Sequence, residues 1–239
     1  AKTIHYRRRK GTLPGLEELA RDVTGWSAKV VEFFQVLGWT QHMNHVRLDH
    51  GGWFGVQDDA VCNAVGTAFD RAAHSIDVRA PVQDEGRYNI VNVGFFLWRL
   101  QAYSLVHSDP HVETGQPHRF HFNSLGQPLP LFIQPDLSSL TERQADEDGV
   151  RGPISARRLQ SDPTVPKRYY GRPRGFGVYV DGTLVSPEAA LPAKRVIVFG
   201  DLCAWADPAP GALVVDVRLG RFAFAPGETP PGRITVSFN

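Results

Sequence analysis

Apolar positions near the start of the chain recur with a helical period. Leu13, Leu16, Leu19, Ala20 and Val23 are spaced so that one face of a helix would carry them. Thr12 offers an N-cap, Pro14 fits the first turn, and Gly25 supplies a left-handed stop. The following run, Val30-Val31-Glu32-Phe33-Phe34-Gln35-Val36-Leu37, is rich in β-branched and aromatic residues. It reads as a strand, with a buried helix as the alternative.

From Ser75 onward the texture changes to short apolar segments separated by Gly, Pro, Asn and Asp, among them Ile90-Val91-Asn92-Val93-Gly94-Phe95-Phe96-Leu97-Trp98 and Leu129-Pro130-Leu131-Phe132-Ile133. These predict strands and loops. Residues 137–167 hold charges, prolines and few large apolar side chains, the composition of a linker or surface excursion with one short helix. Beyond it, Gly177-Val178-Tyr179-Val180-Asp181-Gly182-Thr183-Leu184-Val185 spells strand, Asp-Gly turn and strand. Residues 212–217, 220–224 and 233–238 complete a C-terminal β module, the last alternating cleanly up to Asn239. An exposed strand end invites pairing, so this ending suggests a chain that once continued into something longer. The expected fold is α+β and β-dominated: an N-terminal helix-strand docking segment (1–40), a central irregular β-rich domain (41–136), a linker (137–167) and a small C-terminal β module (168–239).

Composition narrows the function classes. Hydrophobic residues make up 42% and charged residues 21% of 239, as in ordinary folded proteins. With 26 basic against 25 acidic side chains the net charge is +1, so no global field draws the chain to nucleic acid or to an anionic membrane. No long apolar run predicts a membrane span, and the polar, basic opening is no signal peptide. Cytoplasmic synthesis follows, with release by lysis open to a protein built into a particle. Cys62 and Cys203 stand far apart without metal-ligand spacing and read as buried free thiols.

Arg8-Arg9-Lys10-Gly11-Thr12, the Leu16-Glu17-Glu18-Leu19-Ala20 helix, Trp26 and Val31-Glu32-Phe33-Phe34 together resemble the tail protein I family of contractile phages. In that family a basic residue and Lys-Gly-Thr open a helix, and a strand with a Glu-aromatic pair follows. A wider pattern, Gly86-Arg87-Tyr88-Asn89-Ile90, Asn92-Val93-Gly94-Phe95-Phe96-Leu97-Trp98-Arg99-Leu100 and Asp216-Val217-Arg218-Leu219-Gly220-Arg221, resembles uncharacterised bacterial proteins of contractile-injection loci. The resemblance implies a non-enzymatic structural subunit of a baseplate or tail end. Its partners would be other baseplate or tail subunits in a multi-copy, phage-tail-like particle, with no cofactor. The alternative is an adaptor, or the N-terminal part of a tail spike or fibre, that binds or processes surface glycan. The His-containing, Pro-rich middle has no counterpart in the short tail protein I pattern.

Candidate interface residues on this reading are Arg7, Arg8, Arg9, Lys10, Gly11, Thr12, Leu16, Trp26, Phe33 and Phe34. The guanidinium run suits carboxylate or phosphate partners, and a solvated arm is the competing reading. His42, His45 and His50, near Asp49, Asp58 and Asp59, spell a loose ligand pattern, but the glycine turn after His50 breaks it. His118 and His121 would point to opposite faces of a strand, and His107 and His111 flank an Asp-Pro loop in solvent. No metal is assigned. No nucleophile elbow occurs, and Gly175-Phe176-Gly177 reads as the start of a hairpin rather than a phosphate loop, so no catalytic residue is assigned. The aromatics Trp26, Phe33, Phe34, Trp39, Trp53, Phe54, Phe95, Phe96, Trp98 and Trp205 predict a core. Consecutive pairs such as Phe33-Phe34 and Phe95-Phe96, if in strands, need cover on both faces, which a neighbouring subunit would provide.

Overall fold

The computed structural model describes residues 2–38, 43–45, 56–57, 59–82, 85–100, 103–135, 143–161, 166–171 and 175–239. The fold is α+β and dominated by strands, which among the described residues form three sheets. Two compact units share the chain: Ala1–Arg99 with Leu137–Val150, and Leu100–Asp136 with Arg151–Asn239. This division differs from the four segments read from the sequence. Residues 137–150 belong to the first unit, where Ala145 and Val150 are buried against Phe69 and Trp98. Ile154 and Leu159 are core residues of the second. The described part of this stretch is therefore built into both units instead of lying outside them, because its few apolar residues are the ones that pack.

The first unit contains α1 (Thr3–Arg8), α2 (Leu13–Thr24), β1 (Ser27–Glu32), α3 (Asp59–Ala64) and β2 (Val93–Trp98). Thr12 caps α2 as expected, its Oγ1 accepting from the Gly15 N–H, and Gly25 ends it at φ 73°. β1 and β2 pair antiparallel, from Ser27 opposite Trp98 to Glu32 opposite Val93. The expected strand over 30–37 is corrected by this register: it ends at Glu32, and Phe33–Val36 form a 3-10 turn. Phe33 and Phe34 thus do not project from opposite faces of a strand; the turn buries Phe33 and leaves Phe34 exposed.

The second unit holds β3 (Leu105–Ser108), β4 (His111–Val112), β5 (Arg119–His121), α4 (Ala156–Ser161), α5 (Pro166–Tyr169), β6 (Gly177–Val180), β7 (Thr183–Leu184), β8 (Val196–Phe199), β9 (Ala212–Asp216), β10 (Arg221–Phe224) and β11 (Ile234–Phe238). Two sheets, ordered β4-β5-β10-β9-β8 and β3-β11-β6-β7, share one core. Phe120, Phe222 and Phe224 from the first sheet, with Phe122 just past β5, meet Val178, Val180, Val236 and Phe238 from the second. The Asp-Gly hairpin forms as read, with Asp181 at φ 49° and Gly182 at φ 79°, both in the left-handed region that a two-residue hairpin turn demands. The last strand is no exposed edge: β11 pairs with β3 on one side and β6 on the other.

The aromatic core expected from the sequence is also corrected. Of the named aromatics that the structure describes, only Phe33 is buried; Trp26, Phe96, Trp98 and Trp205 are half-buried, and Phe34 and Phe95 are exposed. Trp39, Trp53 and Phe54 lie outside the described residues. The cysteines differ too, Cys62 being half-buried and Cys203 exposed. Among the described residues no helix is long and apolar enough to cross a membrane.

Candidate functional site

α2 presents its faces in an unexpected order. Its buried side chains are Glu17 and Glu18, whereas Leu19 and Val23 of the predicted apolar stripe are 42% and 76% exposed. A buried carboxylate is costly unless its oxygens accept hydrogen bonds. Glu17 meets that condition with backbone donors, Oε1 taking the Val30 N–H at 2.9 Å and Oε2 the Ala145 N–H at 2.7 Å. Burial pushes the Glu17 carboxyl up from its ordinary range, with the two backbone N–H groups and the nearby Lys29 pulling the other way. Lys29 donates to the Ala145 carbonyl at 2.6 Å, and burial pushes its own ammonium down.

This arrangement closes one edge of the small sheet. The Phe33 N–H donates to the Asn92 carbonyl at 3.2 Å. In an antiparallel ladder directly hydrogen-bonded pairs alternate, so Val31, Lys29 and Ser27 exchange bonds with Gly94, Phe96 and Trp98. Val30 then points its N–H and C=O away from β2, where Glu17 takes the one and the Gln144 side-chain amide donates to the other. On β2 the same alternation aims the N–H and C=O of Val93, Phe95 and Leu97 outward. Among the described residues nothing bonds them: the sheet has two strands, and β2 is its open edge.

The side chains on that edge are apolar and uncovered. Val93, Phe95 and Leu97 are 44%, 53% and 39% exposed, and the strand Val93–Trp98 carries no charge and no proline. Native edge strands are commonly guarded by Lys, Pro or a bulge, none of which is present here. At the start of β2 the edge opens into a cleft of about 390 Å³ lined by Phe33, Val82, Val91, Val93 and Phe95, with Glu85 and Arg87 among its polar walls. The Phe33 ring lies over Gly94, where a Cβ would sit 2.6 Å from its Cζ, and Tyr88 meets that ring edge-on at 5.4 Å. Tyr88 is fixed in turn, since its ring stacks on His74 at 3.7 Å and its hydroxyl donates to Asp70 Oδ2, which His74 Nε2 also approaches at 2.8 Å. Burial works to raise the Asp70 carboxyl, but the N–H groups of Gly66 and Ala72 together with His74 outweigh it and hold it low.

The residues singled out in the sequence are only partly drawn together. Arg7 and Arg8 lie in α1 and Arg9 follows it, so the basic run is helical instead of a loose arm; Arg7, Arg8 and Lys10 are exposed. Arg9 approaches Glu18 at 4.0 Å, and its carbonyl accepts from the Thr12 hydroxyl. Gly11 is exposed, and Leu16 and Trp26 are half-buried. Phe33 reaches the cleft and Phe34 does not. Glu17, Glu18 and the outward positions of β2 were not singled out. Glu17 and Glu18 sit inside the apolar heptad with no sequence mark of burial, but the alternation Val93, Phe95, Leu97 in an uncharged strand was a readable signal.

Of the histidines, His42 and His50 lie outside the described residues, with Asp49 and Asp58, and His45 is exposed. His118 and His121 are buried and turn to different carboxylates, His118 Nε2 to Asp207 at 3.2 Å and His121 Nε2 to Glu113 at 2.8 Å. His107 is exposed as expected, whereas His111 is half-buried because its ring packs over Gly126. No group of three His, Cys, Asp or Glu among the described residues is placed to hold a metal ion. No protein-family model, curated protein or solved structure matches the chain.

Proposed function

We propose that the chain is a non-enzymatic structural subunit whose first unit docks onto a neighbouring polypeptide. The open, uncharged edge of β2 carries this reading: it offers unpaired backbone groups beside exposed Val93, Phe95 and Leu97. A two-stranded sheet is marginal alone and gains most from a further strand. The opposite edge of the sheet supports the same reading, because Glu17 and Gln144 satisfy Val30 there and, among the described residues, leave the β2 edge as the one open to a further strand.

The setting follows from the resemblance of residues 8–34 to the tail protein I family: a baseplate or tail end of a contractile phage-tail-like particle, assembled after cytoplasmic synthesis. The role there is positional, bridging other tail subunits. The test is to express the full chain with a C-terminal tag in its source cell, sediment the particles, and probe them. Recovery of the chain with tubes and sheaths is the expected result. Particles that assemble normally and sediment without the chain would overturn the proposal.

A further inference from the structure

The edge of β2 is complementary to itself, and we propose that a second copy of this chain covers it, the two β2 strands pairing antiparallel into a four-stranded sheet, β1-β2-β2-β1. This rests on the reading above that the edge is made to be covered, and it names what covers it.

The register follows from the alternation. Only Val93, Phe95 and Leu97 point hydrogen-bonding groups outward, so the pairing that engages all three sets Phe95 opposite Phe95 of the partner and Val93 opposite Leu97 in both directions. Each of these pairs would exchange two bonds, and each brings together exposed apolar side chains on one face. A shift by two residues in either direction would leave an outward group unmatched on each strand. The twofold axis through Phe95 makes the interface isologous, as in most homodimers.

Charge agrees with the same register. It places Arg99 of one chain beside Val91 of the other, at the cleft whose wall includes Glu85. Arg99 is exposed and has no ion-pair partner among the described residues. Among the described residues Glu85 pairs with Arg79, an equally exposed side chain, at 3.1 Å. The strand itself carries no like charge that would meet its own image.

The seam spans only the three outward residues of each strand, so a weak dimer that dissociates in about the micromolar range is expected. Sedimentation of the purified full chain across that range should show a rise from one to two chain masses. Phe95→Lys should abolish the rise without moving the thermal midpoint measured below the dissociation range, since the residue is exposed in the single chain. Phe95→Pro provides an independent variant: it removes an outward N–H that β1 does not use.

Register is read by cross-linking in a chain with both native cysteines replaced by serine. Phe95→Cys should join to its own copy, whereas Val93→Cys should join only when mixed with Leu97→Cys. A chain that remains monomeric at high concentration, or dimerises equally well with Phe95→Lys and Phe95→Pro, overturns the inference. A monomer that still sediments with particles leaves the docking role standing and removes only the second copy. A β2-paired dimer absent from particles removes the tail setting instead.

Discussion

Glu17 and Val30 lie 13 residues apart, and the carboxylate of the first accepts the backbone N–H of the second at 2.9 Å in a fully buried site. The side chain of a helix thereby does the work of a missing strand: it satisfies the outer edge of β1 and, through Ala145, ties in a segment 128 residues away.

Replacing Glu17 by Gln should therefore destabilise the first unit by about 1–3 kcal/mol, since the new amide NH₂ would face one of the two N–H donors. Urea unfolding compares the two proteins. The folded carboxyl is pushed up by burial, so its contribution is full below the unfolded value and is lost as pH rises through the folded one. The advantage of Glu over Gln should accordingly shrink with rising pH.

α1 has no buried residue and is held by polar contacts to α2: Lys2 to Asp22 at 2.8 Å, His5 to Glu18 at 2.6 Å, and the Tyr6 hydroxyl to Asp22. At Glu18 burial acts upward, but His5 and Lys2 prevail and hold the carboxyl low; Lys2 and Tyr6 hold Asp22 low. A depressed carboxylate contributes stability above its unfolded value and loses it as pH falls through the folded one. The protection of the amides of residues 3–8, taken relative to their intrinsic exchange rates at each pH, should therefore fall on acidification while that of β6 and β11 is retained.

Phe122 and Phe34 give a contrast in burial at equal size. Phe122→Ala should cost about 3–5 kcal/mol, because the ring is fully enclosed by Phe176, Phe222 and Phe238. Phe34→Ala, on an exposed turn, should stay within about 0.5 kcal/mol. Thermal unfolding of both variants decides it.

Gly182 tests the hairpin. An added Cβ would meet nothing within 4 Å, so any cost of Gly182→Ala is conformational, arising from φ 79°. It should amount to about 1–2 kcal/mol, and Asn should recover part of it. Calorimetry of the three proteins provides the measurement.

The sequence reading succeeds where local rules dominate. Thr12, Pro14 and Gly25 marked both ends of α2, and Asp181-Gly182 marked the hairpin, because caps and tight turns are set by a few adjacent residues. It missed which face of α2 is buried. A heptad count assumes that carboxylates seek water, and Glu17 finds its donors on β1 and near Ala145 instead. Residues 144–150 read as linker for a similar reason: short polar stretches give no sign that Gln144 and Ala145 complete a sheet edge elsewhere. The open edge of β2 was half legible. Alternation was visible, but which edge β1 would occupy depends on pairing.

The tie between Glu17 and Ala145 also has a consequence for synthesis. A ribosome delivers the helix and both strands of the small sheet well before residue 145 emerges, and the whole of 100–136 passes in between. Until then the nascent sheet lacks the segment that seals its β1 side while its β2 side stands bare, so the chain is most open to mispairing in that window. Slow codons or a bound chaperone would matter most there.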